Sequence, residues 1–270
     1  MYVKLLRCTE RPEELITSAA KLCYSPIGVE EIEEGLTPEA TEKFINFLMS
    51  LGHESPLEHV SFSFAVEGVS RILETQLVRH RIASYSVQSG RYVKRDQPDF
   101  VVPKGILESG LKAQAIYDDA IAHSIKAYHD LTNELIQDQI QKEGLLKGLP
   151  KEELEIETFK KEYPNLYKSF EKKAIENARY VYPQALCTKL VCTFNARSFL
   201  NFMEHRSCRR AQEEINELAW RMLKELRPYL PTLSRYYGPS CLTKKKCSEG
   251  KMTCGRVYTK EEVELNESKL

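Results

Sequence analysis

Two groups of residues bring charge and hydrogen-bond donors together at spacings that suit an anionic ligand. In the first, Gln76, Arg79 and His80 fall at i, i+3 and i+4. A helix there would set them on one face, with Arg81 round the side. The chain then runs through Ser84, Ser86, Val87, Gln88, Ser89 and Gly90 to Arg91 and Tyr92, a helix end passing into a hydroxyl- and glycine-rich turn. Backbone N–H groups at such a turn, with serine hydroxyls and arginine forks beside them, make a phosphate cradle. The plain alternative is a solvated helix end with surface arginines. In the second group, Arg197, Asn201 and His205 recur at i, i+4 and i+8, one stripe of a helix, with Asn195 at its N-cap position. Arg206 lies one residue past the stripe, beside apolar Phe202 and Met203. An arginine on a semi-apolar face has fewer waters competing for it and polarises a bound carbonyl more strongly. The plain alternative is an ion pair with Glu204 or Glu213.

Other chemistry-bearing residues form weaker patterns. His53-Glu54-Ser55-Pro56-Leu57-Glu58-His59 is not a His-Glu-x-x-His metal motif, and Pro56 spoils a regular helical face. A polar loop is expected there rather than a metal site. The eight cysteines include no Cys-x-x-Cys pair. Cys187, Cys192 or Cys208 paired in space with a histidine would serve a thiol nucleophile, but no local pattern selects a pair, and a buried structural cysteine is the commoner state. Cys241, Cys247 and Cys254 stand in a lysine-rich stretch. A metal or disulfide role is set there against spare thiols on an exposed tail, and the second is the expectation.

These residues must be carried by a chain of 270 residues in which 39 Lys and Arg balance 39 Asp and Glu. Zero net charge excludes a broadly basic nucleic-acid coat, whose binding rests on phosphate neutralisation. The balance is uneven along the chain. Residues 1–58 hold eleven acidic and five basic side chains, residues 71–95 hold six basic and one acidic, and residues 195–210 hold four basic and one acidic. Both basic patches favour Arg, whose planar fork suits phosphate or a pyrimidine edge. Such patches on a neutral chain predict pockets for small anions. No apolar run approaches the ~18 residues of a membrane helix. The first residues contain no long apolar stretch, so a secretory signal is not expected and free thiols in the cytoplasm are.

Periodicity predicts a mixed α+β chain: a single compact domain over residues 1–240, with a small sheet flanked by long helices. Residues 2–8 read as a strand and 11–23 as a helix with Pro12 in its first turn. Thr37-Pro38-Glu39 opens a second helix that ends near Gly52. Residues 59–67 alternate, Val60, Phe62, Phe64 and Val66 on one face, which marks a half-buried strand. Residues 69–81 return to helical period, and 84–93 read as extended or loop. Residues 108–182 read as helical, broken by Gly144, Gly148-Leu149-Pro150 and Pro164, with a charged helical insertion at about 138–165. Residues 185–194 read as a strand, and 197–207 and 210–227 as helices. Residues 241–270 read as a flexible polar tail. No glycine-rich phosphate turn of the Rossmann or P-loop kind is present.

Taken in order, three segments resemble one family. Arg79-His80-Arg81, Ser84, Ser89, Arg91 and Tyr92 are similar to the Arg-His-Arg…Ser…Ser…Arg signature of the flavin-dependent thymidylate synthases. Asn195-Ala196-Arg197-Ser198-Phe199, Asn201-Phe202 and Arg206 resemble a second block of that family, and His53-Glu54-Ser55-Pro56 with Glu58 and His59 a third. The resemblance implies a homotetramer of α/β subunits with active sites shared between chains. It implies reductive methylation of dUMP to dTMP, with 5,10-methylenetetrahydrofolate giving the carbon, FAD reduced by NADPH giving the hydride, and no attacking cysteine. By the same resemblance Gln76, Arg79, Val87, Gln88, Ser89, Gly90, Arg91 and Arg179 would bind dUMP. Arg206 would face the uracil and act in catalysis. Ser55, Arg79, His80, Arg81, Val87, Asn195, Arg197 and Asn201 would hold FAD, and His53 would order water near it. Ser86 and Val87 depart from the family, which often has Asn and an acidic residue there. The rival readings are an RNA- or nucleotide-binding module, using the Arg clusters with Tyr85 and Tyr92 for stacking, and a cysteine-dependent transferase.

Overall fold

The computed structural model describes residues 1–91, 98–259, 261–263 and 268. Tyr92, Lys94 and Arg95 of the first basic patch lie outside them. The chain order is β1 (Tyr2–Cys8), α1 (Pro12–Leu22), α2 (Val29–Glu34), α3 (Pro38–Leu51), β2 (Ser61–Ser70), α4 (Arg71–Leu77) and β3 (Ala83–Val87). There follow α5 (Lys104–Glu108), α6 (Leu111–Lys147), α7 (Ile156–Glu162), α8 (Pro164–Ala178), β4 (Cys187–Asn195), α9 (Ala196–Arg206), α10 (Glu213–Leu226) and α11 (Ser240–Thr243). Contacts sort these into two compact units, Met1–Val87 with Thr188–Leu270, and Gln88–Cys187.

The first unit is built on a four-stranded antiparallel sheet of order β1-β2-β4-β3. The predicted alternation holds: Val60, Phe62, Phe64 and Val66 are buried, and Leu190, Cys192 and Phe194 continue the same face on β4. Phe199 and Phe202 of α9 pack into that layer with ring centroids 5.4–5.9 Å from their Phe62, Phe64 and Phe194 neighbours. The other face is polar, and Ser63 Oγ and Thr193 Oγ1 meet there at 2.7 Å across β2 and β4. The β1–β2 register slips between Leu5 and Arg7, and the Leu5 N–H donates to Glu225 of α10 at 2.9 Å. A backbone donor that an irregular strand leaves over needs such an acceptor. The amphipathic α10 buries Ile215, Leu218, Ala219, Met222, Leu223 and Leu226, a helical stripe that closes the core.

The helix expected over 69–81 is shorter, because α4 ends at Leu77. Ser70 caps its start by accepting from Leu73 N at 3.1 Å, and Glu214 accepts from the Ser70 hydroxyl and N–H. At its end the Tyr85 hydroxyl sits 2.9 Å from the carbonyls of both Leu77 and His80. That tertiary bond takes up end carbonyls which a continuing helix would have bonded to its own N–H groups. Arg79 and His80 therefore follow the helix and do not share its face with Gln76.

The stretch from 241, read as a flexible tail, packs through buried Tyr258 and Val263 and through partly buried Cys241. Tyr258 receives the Arg209 guanidinium over its ring at 3.8 Å. Short α2, Val-Glu-Glu-Ile-Glu-Glu, has Ile32 alone buried, which is too little periodicity to be read from sequence.

In the second unit α6 is one helix of 37 residues. Gly144 does not break it. A Cβ at Gly144 would lie 2.1 Å from Leu154 Cδ2, so the glycine admits a close neighbour. The helix stops at Gly148, which takes φ 63°, and Leu149 N–H bonds back to Gly144 O at 3.0 Å, as a glycine C-cap does. The charged segment read as an insertion at 138–165 thus starts inside a continuous helix. Its α7 buries Phe159 with Ile136, Ile140, Phe170 and Ala174 in a small apolar core. Among the described residues no helix is long and apolar enough to cross a membrane.

Candidate functional site

A cleft of about 780 Å³ opens in the first unit where the residues after α4 meet the start of α9. Arg79, His80, Arg81, Asn195, Arg197 and Asn201 line it. These are six of the eight positions that the family resemblance implies for FAD, drawn from segments more than a hundred residues apart. Asn195 caps α9, its side-chain oxygen accepting from Ser198 N at 2.7 Å. The cap fixes the first turn, so Arg197 and Asn201 project from a defined helix start. The Ala196 N–H donates to Val60 O at 2.8 Å and seats that start against the chain entering β2.

Two cations of the cleft, Arg197 and Lys244, are paired with acidic side chains of the same cleft. Arg197 Nη1 meets Glu58 at 2.5 Å, and its Nε stands 3.6 Å from Glu54. Glu204 meets Lys244 at 2.8 Å. Glu54, Glu58, Glu204 and Lys244 were not singled out as site residues. Glu58 stands 139 positions before Arg197, and no periodicity connects them. Lys244 belongs to the stretch read as a tail.

Arg206 takes neither of the acidic partners that the sequence offered. Its Nε–H donates to His80 Nε2 at 3.0 Å. His80 must therefore present an unprotonated Nε2, and burial, followed by the charge of Arg206 and then His205, lowers its pKa to about 4. The imidazole stays neutral at physiological pH and acts as an acceptor. Phe202 meets its ring edge-on, centroids 5.1 Å apart at 79°. Burial and then Arg79 lower the Arg206 pKa. The Arg206 carbonyl accepts from Asn216 Nδ2 at 2.8 Å, which holds the backbone where α9 ends. The result is a half-buried guanidinium anchored through one edge by a neutral base.

Other assigned positions are less central. Gln76 is half-buried near the end of α4, and Ser55 is exposed at the head of a short helical turn beside Glu54. Val87 pairs with Leu190 and packs its side chain on the core, so it offers a ligand only backbone groups. His53 lines a different, apolar cavity, with Phe44, Phe47 and Leu51. Tyr85, a stacking candidate in the nucleic-acid reading, is spent on the carbonyls after α4 and on Phe194, ring centroids 6.1 Å apart.

The second unit gathers its own anion-binding candidates. Gln88 and Ser89 are half-buried, and Ser89 Oγ accepts from Arg91 N at 3.3 Å. A Cβ on Gly90 would lie 3.4 Å from Arg179 Nη1, so the guanidinium lies in ordinary contact distance of the turn. Arg179 Nε donates to Glu176 O at 3.1 Å, and Arg91 Nη1 stands 3.5 Å from the Glu176 carboxylate. The turn carrying Arg179 is braced by Ser124 Oγ on Val181 O at 2.8 Å and by Tyr128 stacked on Tyr182 at 4.5 Å.

The sequence pattern of one family, described as thymidylate synthase complementing protein, matches residues 4–232. That span holds both arginine groups and the fold that presents them. The chain belongs to this family. A flavin-dependent thymidylate synthase of Clostridium tetani is 48% identical over 263 residues, covering 97% of this chain and 96% of its own length. Enzymes of the same description from Geobacter sulfurreducens and Pyrococcus furiosus are 38% and 34% identical. They cover 95% and 92% of this chain, and 95% and 89% of their own lengths. The family pattern ends at residue 232, before the cysteine-bearing stretch.

Proposed function

We propose that this protein makes dTMP from dUMP by reductive methylation, with 5,10-methylenetetrahydrofolate as carbon donor and FAD, reduced by NADPH, as hydride carrier. The observation that carries the reading is the convergence of Arg79, His80, Arg81, Asn195, Arg197 and Asn201 on one cleft, in a chain of the thymidylate synthase complementing family.

The cleft's donor set fits a flavin dinucleotide. Its arginines and amides suit a pyrophosphate, and its ~780 Å³ lies within the range of ligand pockets. Arg79, Arg81 and Arg197 would take the phosphates, with Asn195 and Asn201 donating to polar edges. The bound flavin supplies the redox chemistry that no side chain here can.

Arg91, Arg179, Ser89 and Gly90, with Gln76, Gln88 and the Val87 backbone, would hold the dUMP phosphate and sugar. Arg206 would face the uracil. Its positive charge favours electron density on the N3/O2 side of the ring, which makes C5 a better carbon nucleophile. His80 has a second part: by accepting from Nε it fixes the guanidinium edge and leaves the Nη groups for substrate. Cysteine attack is not needed. Cys192 is fully buried, with its thiol pushed up to about 12 by desolvation, and burial also raises Cys208. Raised thiols are poor nucleophiles at neutral pH. We place the enzyme in the cytoplasm as a homotetramer, with different subunits supplying the two ligand-binding groups to each active site.

An absorbance spectrum tests the reading. The purified protein, with FAD added, should carry a flavin band that shifts when dUMP is added. Lack of flavin binding refutes it, and RNA binding with a steep salt slope and no dUMP response would favour the nucleic-acid module instead.

A further inference from the structure

The chain beyond the family pattern, which ends at residue 232, delivers one cation to the large cleft. Lys244, Lys245 and Lys246 stand in a row, and a run of like charge is ordinarily a solvated surface. Of the three, Lys244 alone lines the cleft. Its backbone is fixed there. The Lys244 N–H donates to Ser240 O at 2.9 Å where α11 ends, and Lys245 takes φ 52°, the left-handed turn that commonly follows a helix end. Ahead of α11, the Tyr237 hydroxyl donates to Ala196 O at 3.2 Å. The stretch therefore enters against the first residue of α9, the helix that carries Arg197 and Asn201 into the cleft.

After the lysines the chain is tied down again. Ser240 Oγ on Ser248 Oγ at 3.0 Å and the Ser248 N–H on Ser240 Oγ at 3.1 Å close the neck of the lysine loop. Further on, Arg210 bonds the Met252 carbonyl, and Arg209 meets Glu262 at 2.5 Å and covers the buried ring of Tyr258. Cys208, Cys241, Cys247 and Cys254 line a cavity of about 220 Å³ where this stretch lies beside the chain after α9. Across the cleft wall, Lys244 Nζ donates to Glu204 at 2.8 Å. Glu204 sits one helical turn past Leu200 and Asn201 on α9, and all three line the cleft. Its side chain is 19% exposed and that of Lys244 56%, so the carboxylate is the anchored partner and the ammonium the accessible one. An ammonium has three donors, and Glu204 engages one of them.

We propose that Lys244 is a binding residue for a phosphate of the flavin dinucleotide, supplied to the cleft by the stretch that follows the family pattern. The inference rests on the flavin reading of the cleft. Arg79, Arg81 and Arg197 offer planar forks of fixed geometry, whereas a lysine acts on phosphate as a point charge on a flexible stem. Such a stem lets the ammonium keep Glu204 and reach a phosphate oxygen with a second donor. The competing role is a brace, in which the ion pair only pins the stretch to α9. A half-exposed pair of that kind contributes little to stability, and the ties at Tyr237, Ser248 and Arg209 hold the stretch without it. The two roles differ in what the loss of Glu204 does. A brace fails when either partner is removed, and a phosphate ligand fails only when the lysine is.

The test measures the FAD dissociation constant of the full chain, stripped of flavin, by flavin fluorescence. Lys244→Met keeps the aliphatic stem and removes the charge, and should bind FAD roughly 5- to 20-fold more weakly, as the loss of one charge-assisted bond at a half-exposed site implies. Lys244→Arg keeps the charge and should keep most of the affinity. Glu204→Gln leaves the ammonium in place and should bind FAD at least as tightly as the unaltered chain. A Lys244→Met affinity within about twofold of the unaltered chain would overturn the proposal, since no bond of that strength would then reach the ligand. A Glu204→Gln loss as large as that of Lys244→Met would overturn it too, by showing a brace. An unaltered chain that binds no FAD refutes the flavin reading and this inference together, whereas equal binding by chain and variant refutes the role of Lys244 alone. Circular dichroism reports folding, and Lys244→Gln takes the place of Lys244→Met should that variant misfold.

Discussion

Replacing His80 by Phe keeps a ring against Phe202 and removes the acceptor that holds Arg206. The bond spans 3.0 Å from Arg206 Nε to His80 Nε2, and its donor is a half-buried cation. A hydrogen bond to a charged group contributes about 1.5–3 kcal/mol, and leaving a buried partner unpaired costs a similar amount. Should that whole term act on the transition state, dTMP formation falls roughly 10- to 150-fold at ~1.4 kcal/mol per decade. The assay is single-turnover dTMP formation at saturating dUMP, with flavin occupancy measured spectroscopically, because His80 also lines the flavin cleft. His80→Gln keeps an oxygen acceptor and should recover part of the loss. A His80→Phe rate within about twofold of wild type at full flavin occupancy would refute the positioning role, since no orientation energy of that size would then pass through His80. The acid side gives a second check. A His80 pKa near 4 leaves the imidazole neutral through the working range. A rate that titrates near pH 6.5 and stops doing so in His80→Gln would contradict that electrostatic reading.

Arg206→Ala should lose about 2–4 kcal/mol of transition-state stabilisation, the range for removing one preorganised donor, while flavin still binds; an unchanged turnover would remove Arg206 from catalysis. Asn195→Ala removes the N-cap of α9 and should cost about 1 kcal/mol of stability, read as a lower urea midpoint, and Asn195→Asp should restore most of it. His80 also links stability to pH. Its folded pKa, about 4, lies below its ordinary 6.5, so the unfolded chain binds more protons between them. Its contribution is full above about pH 6.5 and is lost as pH falls toward 4. The His80→Gln variant should show a shallower acid loss over that window, and an identical slope would count against a buried neutral His80.

The elements that depend on local chemistry were legible in the sequence. The alternation from Val60 to Val66 gives β2 and its buried face, Thr37-Pro38 gives the start of α3, and Asn195 gives the cap of α9. The candidate site was legible as residue types and as the resemblance they carry. What could not be read is tertiary. The end of α4 depends on a hydroxyl eight residues beyond Leu77. Gly144 looks like a breaker and is instead a place where Leu154 comes close. Arg206 finds its partner 126 positions away in His80, although Glu204 is nearer along the chain. The fourth cysteine beside the tail thiols stands 33 residues before Cys241, and only the fold brings Cys208 to them.

The pairing of Arg197 with Glu58 and of Lys244 with Glu204 makes the cleft an ion exchanger. At those two cations an entering anion must displace resident counter-ions that the chain carries itself. A ligand with one phosphate gains little from that trade. A ligand long enough to engage several of the cations at once recovers the exchange cost at each position. The acidic side chains of the cleft thereby act as a threshold, holding Arg197 and Lys244 in place and favouring extended polyanionic ligands over the free phosphate that surrounds them.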